Sequence, residues 1–145
     1  MPVAEALVAD ANALRTTDRA RAIALYKRAG AVYRISRFPY IGDDGGAKRA
    51  AYEAQKACFL RGASLWDTPA EEVVIPFAGR ADGDKESIPL YVRVPKGATA
   101  ERPVPTVLLM PGLDGHRPDN TEVRDLSMTD TCRVAGSGGP AQRAT

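Results

Sequence analysis

Cysteine is nearly missing from this 145-residue chain, which holds only Cys58 and Cys132. Two cysteines so differently placed make no disulfide framework, and a reducing, cytoplasmic setting is the expectation. Histidine is rarer still, with His116 the one copy, so no His or Cys cluster is at hand to build a metal centre. No apolar run approaches the ~18 residues that suggest a membrane span. The N-terminus lacks the basic-then-apolar order of a secretory signal, because Glu5 and Asp10 interrupt it. A formal charge of +2 is too small to argue for nucleic acid or a membrane surface as partner. What is present is the make-up of an ordinary globular domain, 44% hydrophobic and 26% charged, at about the length of one domain.

The first half of the chain has helical periodicity. In residues 3–14, Val3, Leu7, Ala11 and Leu14 form an i, i+4, i+8, i+11 stripe. Thr16 or Thr17 is the expected N-cap of a second helix from about Asp18 to Ser36, with Asp18 in its first turn, where negative charge suits the helix dipole. Ala22, Leu25, Ala29, Val32 and Tyr33 lie on one face of it, and Arg37-Phe38-Pro39 ends it. Gly42–Gly46 has the composition of an exposed loop. A third helix is expected over Ala47–Leu65, with a packing face of Ala50, Ala54, Ala57 and Cys58, closed by Trp66. Tyr26, Tyr33, Phe59 and Trp66 belong to a core or a pocket wall.

At Thr68-Pro69 the period changes from near 3.6 to near 2. Glu71–Ala78 and Ile88–Val94 are strand-like, with the turn-rich stretch Gly79–Ser87 between them. Pro76 and Pro89 each remove a ladder donor, which places this pair at a sheet edge. After a loop begun by Pro95-Lys96-Gly97 comes Val104–Asn120, the stretch around which the rest is organised. Its apolar run Thr106–Met110 reads as a strand buried on both faces, of the kind found in helix-covered α/β sheets. Pro111-Gly112 breaks it, and the loop leaving the carboxyl end of such a strand is where ligands and catalytic groups gather. Thr121–Leu126 can start a helix. The last seventeen residues hold Val134 as their only large aliphatic and cannot offset their ordering entropy, so residues 129–145 are expected to be a disordered tail. The expected organisation is α/β: a helical region over 1–67, the start of a sheet over 68–128, and the tail.

Several clusters invite chemical readings. Ala135-Gly136-Ser137-Gly138-Gly139 has nucleophile-elbow spacing with Ala in the first Gly position. Thr131–Val134 is a poor strand to feed it, however, and a flexible Gly/Ser tail is the favoured reading. His116, between Asp114 and Asp119, fits a hydrogen-bonding loop residue better than a metal or acid–base centre. Asp82-Gly83-Asp84 lacks the later ligands of a calcium loop and suits a turn. Arg34 and Arg37, at i, i+3, either touch an acidic or phenolic substrate or bridge helix to sheet, the structural role being favoured.

Leu25–Ala29 (LYKRA), Tyr33–Tyr40 (YRISRFPY) and Leu108–Asn120 (LLMPGLDGHRPDN) together resemble the fungal α/β-hydrolases that shorten heptaketide naphthopyrones in pigment (melanin) biosynthesis, the yellowish-green type. The similarity covers roughly residues 5–126 and extends to bacterial hydrolases of the pseudooxynicotine type, which share a helical N-terminal region. It implies a serine hydrolase that removes a short acyl unit from a small-molecule polyketide by C–C cleavage. It implies no cofactor or metal, no nucleic-acid or membrane partner, and it admits a homodimer. Within it, Gly112-Leu113-Asp114 matches the oxyanion loop. Leu113 would be the donor of a backbone N–H, Gly112 the residue that aims it, and Asp114 a substrate contact or brace. The fold implied is an N-terminal helical region followed by the first strands of an incomplete α/β-hydrolase sheet.

The departure from the family lies in the triad. Nucleophile, acid and histidine should follow in that order, yet His116 precedes any elbow and nothing after Met128 resembles the family. No catalytic residue is therefore assembled, and the chain on its own is expected to be an inactive hydrolase fragment. A competing reading is a helical tetratricopeptide-like interaction protein, but its third repeat is replaced by strand-period sequence. A sheet ending at its third strand would leave Val107–Met110 with an unpaired edge, an aggregation hazard.

Overall fold

The computed structural model describes residues 2–38, 45–78, 86–109, 116, 118 and 132–136, with Leu109 and Cys132–Gly136 described by backbone alone. The chain divides into two compact units, Met1–Pro69 and Ala70–Thr145.

The first unit is three helices: α1 (Pro2–Leu14), α2 (Arg19–Ile35) and α3 (Ala47–Ala63). Pro2 opens α1 at a position where its missing N–H costs nothing, and Glu5 sits in the first turn. The link to α2 is tight, with the N–H groups of Thr17 and Asp18 both donating to the Leu14 carbonyl. Asp18, rather than Thr16 or Thr17, caps α2: its carboxylate accepts from the Arg21 N–H at 3.0 Å. The four-residue link puts Asp18 in the flanking position itself, and aspartate is at least as good a cap as threonine. Gly46 caps α3 with φ of 89°, a left-handed conformation that a side chain would oppose. That helix ends at Ala63, two residues short of the expected Leu65.

Small residues set how the helices meet. Ala4 of α1, Ala29 and Tyr33 of α2 and Cys58 of α3 form one buried cluster, with Leu7, Val8, Val32 and Ala54 packed around it. The contact stripe of α1 is thus Ala4, Leu7, Val8 and Ala11, and Val3 is 64% exposed. The expected stripe keeps Leu7 and Ala11, but Ala4 and Val8 join it in place of Val3, a rotation of about 50°. Alanine at 4 and 11 lets α2 approach more closely than valine would. A similar rotation applies to α3, whose buried face is Ala51, Gln55, Cys58 and Gly62, while Ala50 is exposed. For α2 the expected face holds, with Tyr26 added at its centre.

The second unit is a four-stranded mixed sheet in the order β1-β2-β4-β3. Its strands are β1 (Ala70–Pro76), β2 (Ser87–Arg93), β3 (Thr106–Leu109) and β4 (Cys132–Gly136). β1 and β2 pair antiparallel from Ala70↔Arg93 to Pro76↔Ser87, and Phe77 N–H to Glu86 carbonyl prolongs the hairpin. Gly97, at φ of 85°, supplies the left-handed residue of the turn after β2, closed by Ala98 N–H to Pro95 carbonyl.

The pair expected at a sheet edge lies there, and two other sequence expectations change. β1 is the outermost strand, and β2 pairs on its inner side with β4. The proline of β2 is tolerated because the ladder to β4 begins only at Leu90↔Gly136, one residue past Pro89. Cys132–Gly136, placed by sequence in a disordered tail, is strand β4. The tail argument weighed side-chain burial, whereas β4 gains backbone pairing on both sides, antiparallel to β2 and parallel to β3. Finally, β3 is not buried on both faces: Val107 is 41% and Leu108 60% exposed. An apolar strand is buried only where layers cover it, and the described part of this unit supplies no multi-residue helix. β4 pairs one edge of β3; the other has no strand among the described residues. The expected helix Thr121–Leu126 and the turn at Asp82–Asp84 lie outside the described residues.

Candidate functional site

β3 and β4 run parallel, with Thr106↔Cys132 through Leu109↔Ala135 in register. Their carboxyl ends therefore fall at one edge of the sheet, side by side. From the first the chain continues into Pro111-Gly112-Leu113-Asp114, and from the second into Ser137. The topology thus makes the two segments singled out by sequence leave adjacent strands at the same end, where ligand sites of α/β sheets form. Gly112, Leu113, Asp114, Asp119 and Ser137 themselves lie outside the described residues. The feeding strand that the elbow-like spacing seemed to lack is present as β4, a correction to the sequence reading. His116 is half-buried and Pro118 buried. Among the described residues no group of three His, Cys, Asp or Glu side chains is arranged to hold a metal.

Arg34 and Arg37 part company. Arg34 is exposed, whereas Arg37 is 2% exposed, its guanidinium 5.5 Å from the centroid of the Tyr52 ring. Arg37 therefore packs α2 against α3 through a cation–π contact, which is a structural role. Trp66 closes its end of the helical unit edge-on to Phe59, ring centroids 5.7 Å apart.

Sequence reasoning missed a polar network around Tyr26, which is 1% exposed. Its hydroxyl donates to Asn12 Oδ1 at 2.6 Å and accepts from the Arg15 guanidinium at 3.3 Å. Arg15 also reaches Ser64 Oγ at 3.5 Å, so its guanidinium, carried one residue past the end of α1, touches both Tyr26 of α2 and the residue that caps α3. Beside it, Arg19 donates to the Leu65 carbonyl and pairs with Asp67 at 3.0 Å. These contacts fasten the α1–α2 link to the end of α3. The signal was present in the buried spacing of Tyr26, but a tyrosine's partner eleven or more residues away is invisible in periodicity.

Two ionisable groups are perturbed in the helical core. Burial first, against a smaller downward pull from Arg61, raises the Cys58 thiol above its ordinary value. Burial, then Cys58 and Glu5, raise the Tyr33 hydroxyl, with Arg61 opposing. Both stay neutral near pH 7, so Cys58 has the character of an inert core thiol rather than a nucleophile. In the second unit Glu101 is held below its usual range, chiefly by a hydrogen bond from the Thr99 side chain.

No known family's sequence pattern matches this chain, and no curated protein does. Among solved structures it is similar to the crystal structure of the 2,6-dihydroxy-pseudo-oxynicotine hydrolase, with a TM-score of 0.73 at 18% identity. That likeness covers 95% of this chain and 36% of the other. The fold is that of a partial α/β-hydrolase. At this identity the likeness speaks for architecture alone, and the chain spans about a third of that hydrolase's length. Among the described residues no helix is long and apolar enough to cross a membrane.

Proposed function

We propose that these residues form the helical region and first strands of a serine α/β-hydrolase, and that Gly112–Asp114 is its oxyanion loop. What supports this is chain order: Gly112 comes three residues after the end of β3, and in α/β-hydrolases one oxyanion N–H comes from the loop that follows the third strand. A backbone donor there stabilises the developing oxyanion by about 3–4 kcal/mol. In this reading Leu113 donates, Gly112 permits the required backbone angle, and Asp114 braces the loop or meets the substrate. The substrate class we favour is a polyketide shortened by C–C cleavage in a cytoplasmic pigment pathway. Support for it comes from the sequence stretches LYKRA, YRISRFPY and LLMPGLDGHRPDN.

The 145 residues on their own should not turn over substrate, because no histidine follows Ser137. A Ser–His pair needs that base to activate the hydroxyl. Assay with an activated naphthyl ester tests this: no turnover above buffer is expected, and rapid turnover abolished by Ser137→Ala would overturn it. The wider reading is tested by sequencing the transcript of this locus through the codon for Met128 and beyond. A frame or splice form continuing into Gly-x-Ser-x-Gly, then Asp and His, is expected. A message that stops at Thr145 in every form removes the catalytic reading.

A further inference from the structure

β1 ends the sheet, and its only strand neighbour among the described residues is β2. Natural edge strands are usually blunted by cations, bulges or prolines. β1 holds no Lys or Arg, and its pairing with β2 runs from Ala70 to Pro76 without a bulge. Its one proline is its last residue. In its middle lie Val73, Val74 and Ile75, of which Val74 is the most exposed, at 57%. The Phe77 N–H donates to the Glu86 carbonyl, and this bond fixes the alternation of the hairpin. Residues 71, 73, 75 and 77 turn their backbone groups toward β2, and residues 70, 72, 74 and 76 turn theirs to the outer edge. Both prolines agree with this alternation. Pro76 stands opposite Ser87 and Pro89 opposite Val74, in pairs that exchange no backbone bonds. Val74, the midpoint of the apolar run, is therefore also an outward-bonding residue.

We propose that β1 pairs antiparallel with β1 of a second copy of this chain, about a two-fold axis through Val74. The two Val74 residues then exchange both of their outward backbone bonds, as an antiparallel bonded pair does. Val73 of each copy stands opposite Ile75 of the other, so the apolar run is laid on itself. Charge selects this register. Glu72 falls opposite Pro76 of the other copy, and the two Glu72 residues lie four places apart along the sheet, about 13 Å, beyond the ~8 Å screening length. Shifting the axis to Val73 would make the two Glu72 residues diagonal neighbours at about 7–8 Å. Parallel pairing would set Glu71 and Glu72 level with their own counterparts. An identical strand is thus complementary to β1 in backbone bonds, apolar side chains and charge at once. One short strand offers a small interface, so the dimer is expected to be weak and reversible.

Sedimentation of the full chain over a range of concentrations tests this, and a monomer–dimer equilibrium is expected. Val74→Pro removes an N–H that β2 does not use, and should weaken the dimer at least about tenfold. Val74→Lys keeps the N–H but sets two ammonium groups opposite each other, and should do the same. Leu108→Lys, on β3 at the other end of the sheet order, should leave the equilibrium unchanged. Val74→Cys should cross-link on mild oxidation, because paired Cα atoms about 5.5 Å apart suit a disulfide. Glu71→Cys, about 20 Å from its counterpart in this register, should not. Far-UV circular dichroism checks each variant, and where Val74→Pro unfolds the chain the Lys and Cys variants decide. A monomer at every concentration overturns the proposal. So does a dimer that Val74→Lys leaves intact, one that persists without Val74→Cys cross-linking, or one lost in Leu108→Lys alone, which assigns association to β3.

Discussion

The two units of this chain handle apolar side chains in opposite ways. In the helical unit the buried residues are mostly alanines, gathered around Tyr26, Tyr33 and Cys58, and the helices meet closely because the contacting side chains are short. In the strand unit the described residues bury Ala70 and Tyr91, while Val73, Val74, Ile75, Val107 and Leu108 are each 39% exposed or more. Larger side chains are thus left in solvent in the very unit that carries the candidate oxyanion loop. A helix satisfies its backbone internally and needs only one stripe covered, so three helices can close a core among themselves. A sheet satisfies its backbone through neighbouring strands, yet each of its two faces needs a covering layer.

The largest effect should come from separating the units. Residues 1–69 alone are expected to give a helical far-UV spectrum and a sigmoidal thermal melt. Residues 70–145 alone should self-associate, because among the described residues no strand pairs the outer edge of β3 and its apolar side chains are exposed. A monomeric, sharply melting 70–145 piece in light scattering would break the contrast. Next in size is Tyr26→Ala, which removes the largest side chain of the helical core and should destabilise that unit by about 3–5 kcal/mol in urea unfolding. Tyr26→Phe keeps the ring but loses the bonds to Asn12 and Arg15, and about 1 kcal/mol is expected.

Two glycines sharpen the account of close packing. An added methyl at Gly30 would meet Cys58 and Gln55 at an ordinary 3.9 Å. Gly30→Ala should therefore stabilise the unit by about 0.5–1 kcal/mol through helix propensity. At Gly62 the same methyl would lie 3.3 Å from Tyr26 Cβ, an atom fixed to the α2 backbone. Gly62→Ala should therefore lose that gain, and a melt shift equal to that of Gly30→Ala would contradict close contact there. The smallest effect is on pH dependence. The Cys58 thiol is raised by folding, so its contribution is fully present below the unfolded thiol's pKa of ~8.5 and is lost as pH rises through the higher folded value. Tyr33 acts in the same direction at higher pH. Stability measured by urea titration should be flat from neutral to mildly alkaline pH and fall above it, with the earlier part of the fall absent in Cys58→Val.

Much of the fold was legible from sequence. The helices were found within a residue or two at most ends, because amphipathic periodicity reports directly on local geometry. The change of period at Thr68-Pro69 sits beside the boundary between the units at Pro69 and Ala70. Less legible was what depends on distant neighbours. A stripe through Val3 and one through Ala4 differ by a single residue, and only the approach of α2 chooses between them. β4 was missed because Cys132–Gly136 has little apolar content of its own and owes its conformation to the strands on either side. Of the candidate site, sequence supplied the breaker Pro111-Gly112 and the loop residues after it; that β4 runs parallel beside β3 was not readable.

By itself, then, the sequence determined the elements that carry their own periodic signal: α1, α2, α3, β1, β2 and the apolar run of β3. The tertiary structure decided the strand order β1-β2-β4-β3, the adjacency of the β3 and β4 carboxyl ends, and the fastening of Tyr26 and Ser64 by Arg15. The physical reason is one of range. Helical turns and strand alternation are set by residues a few places apart, whereas strand neighbours and the partners of a long side chain are set by segments brought together only when the chain folds.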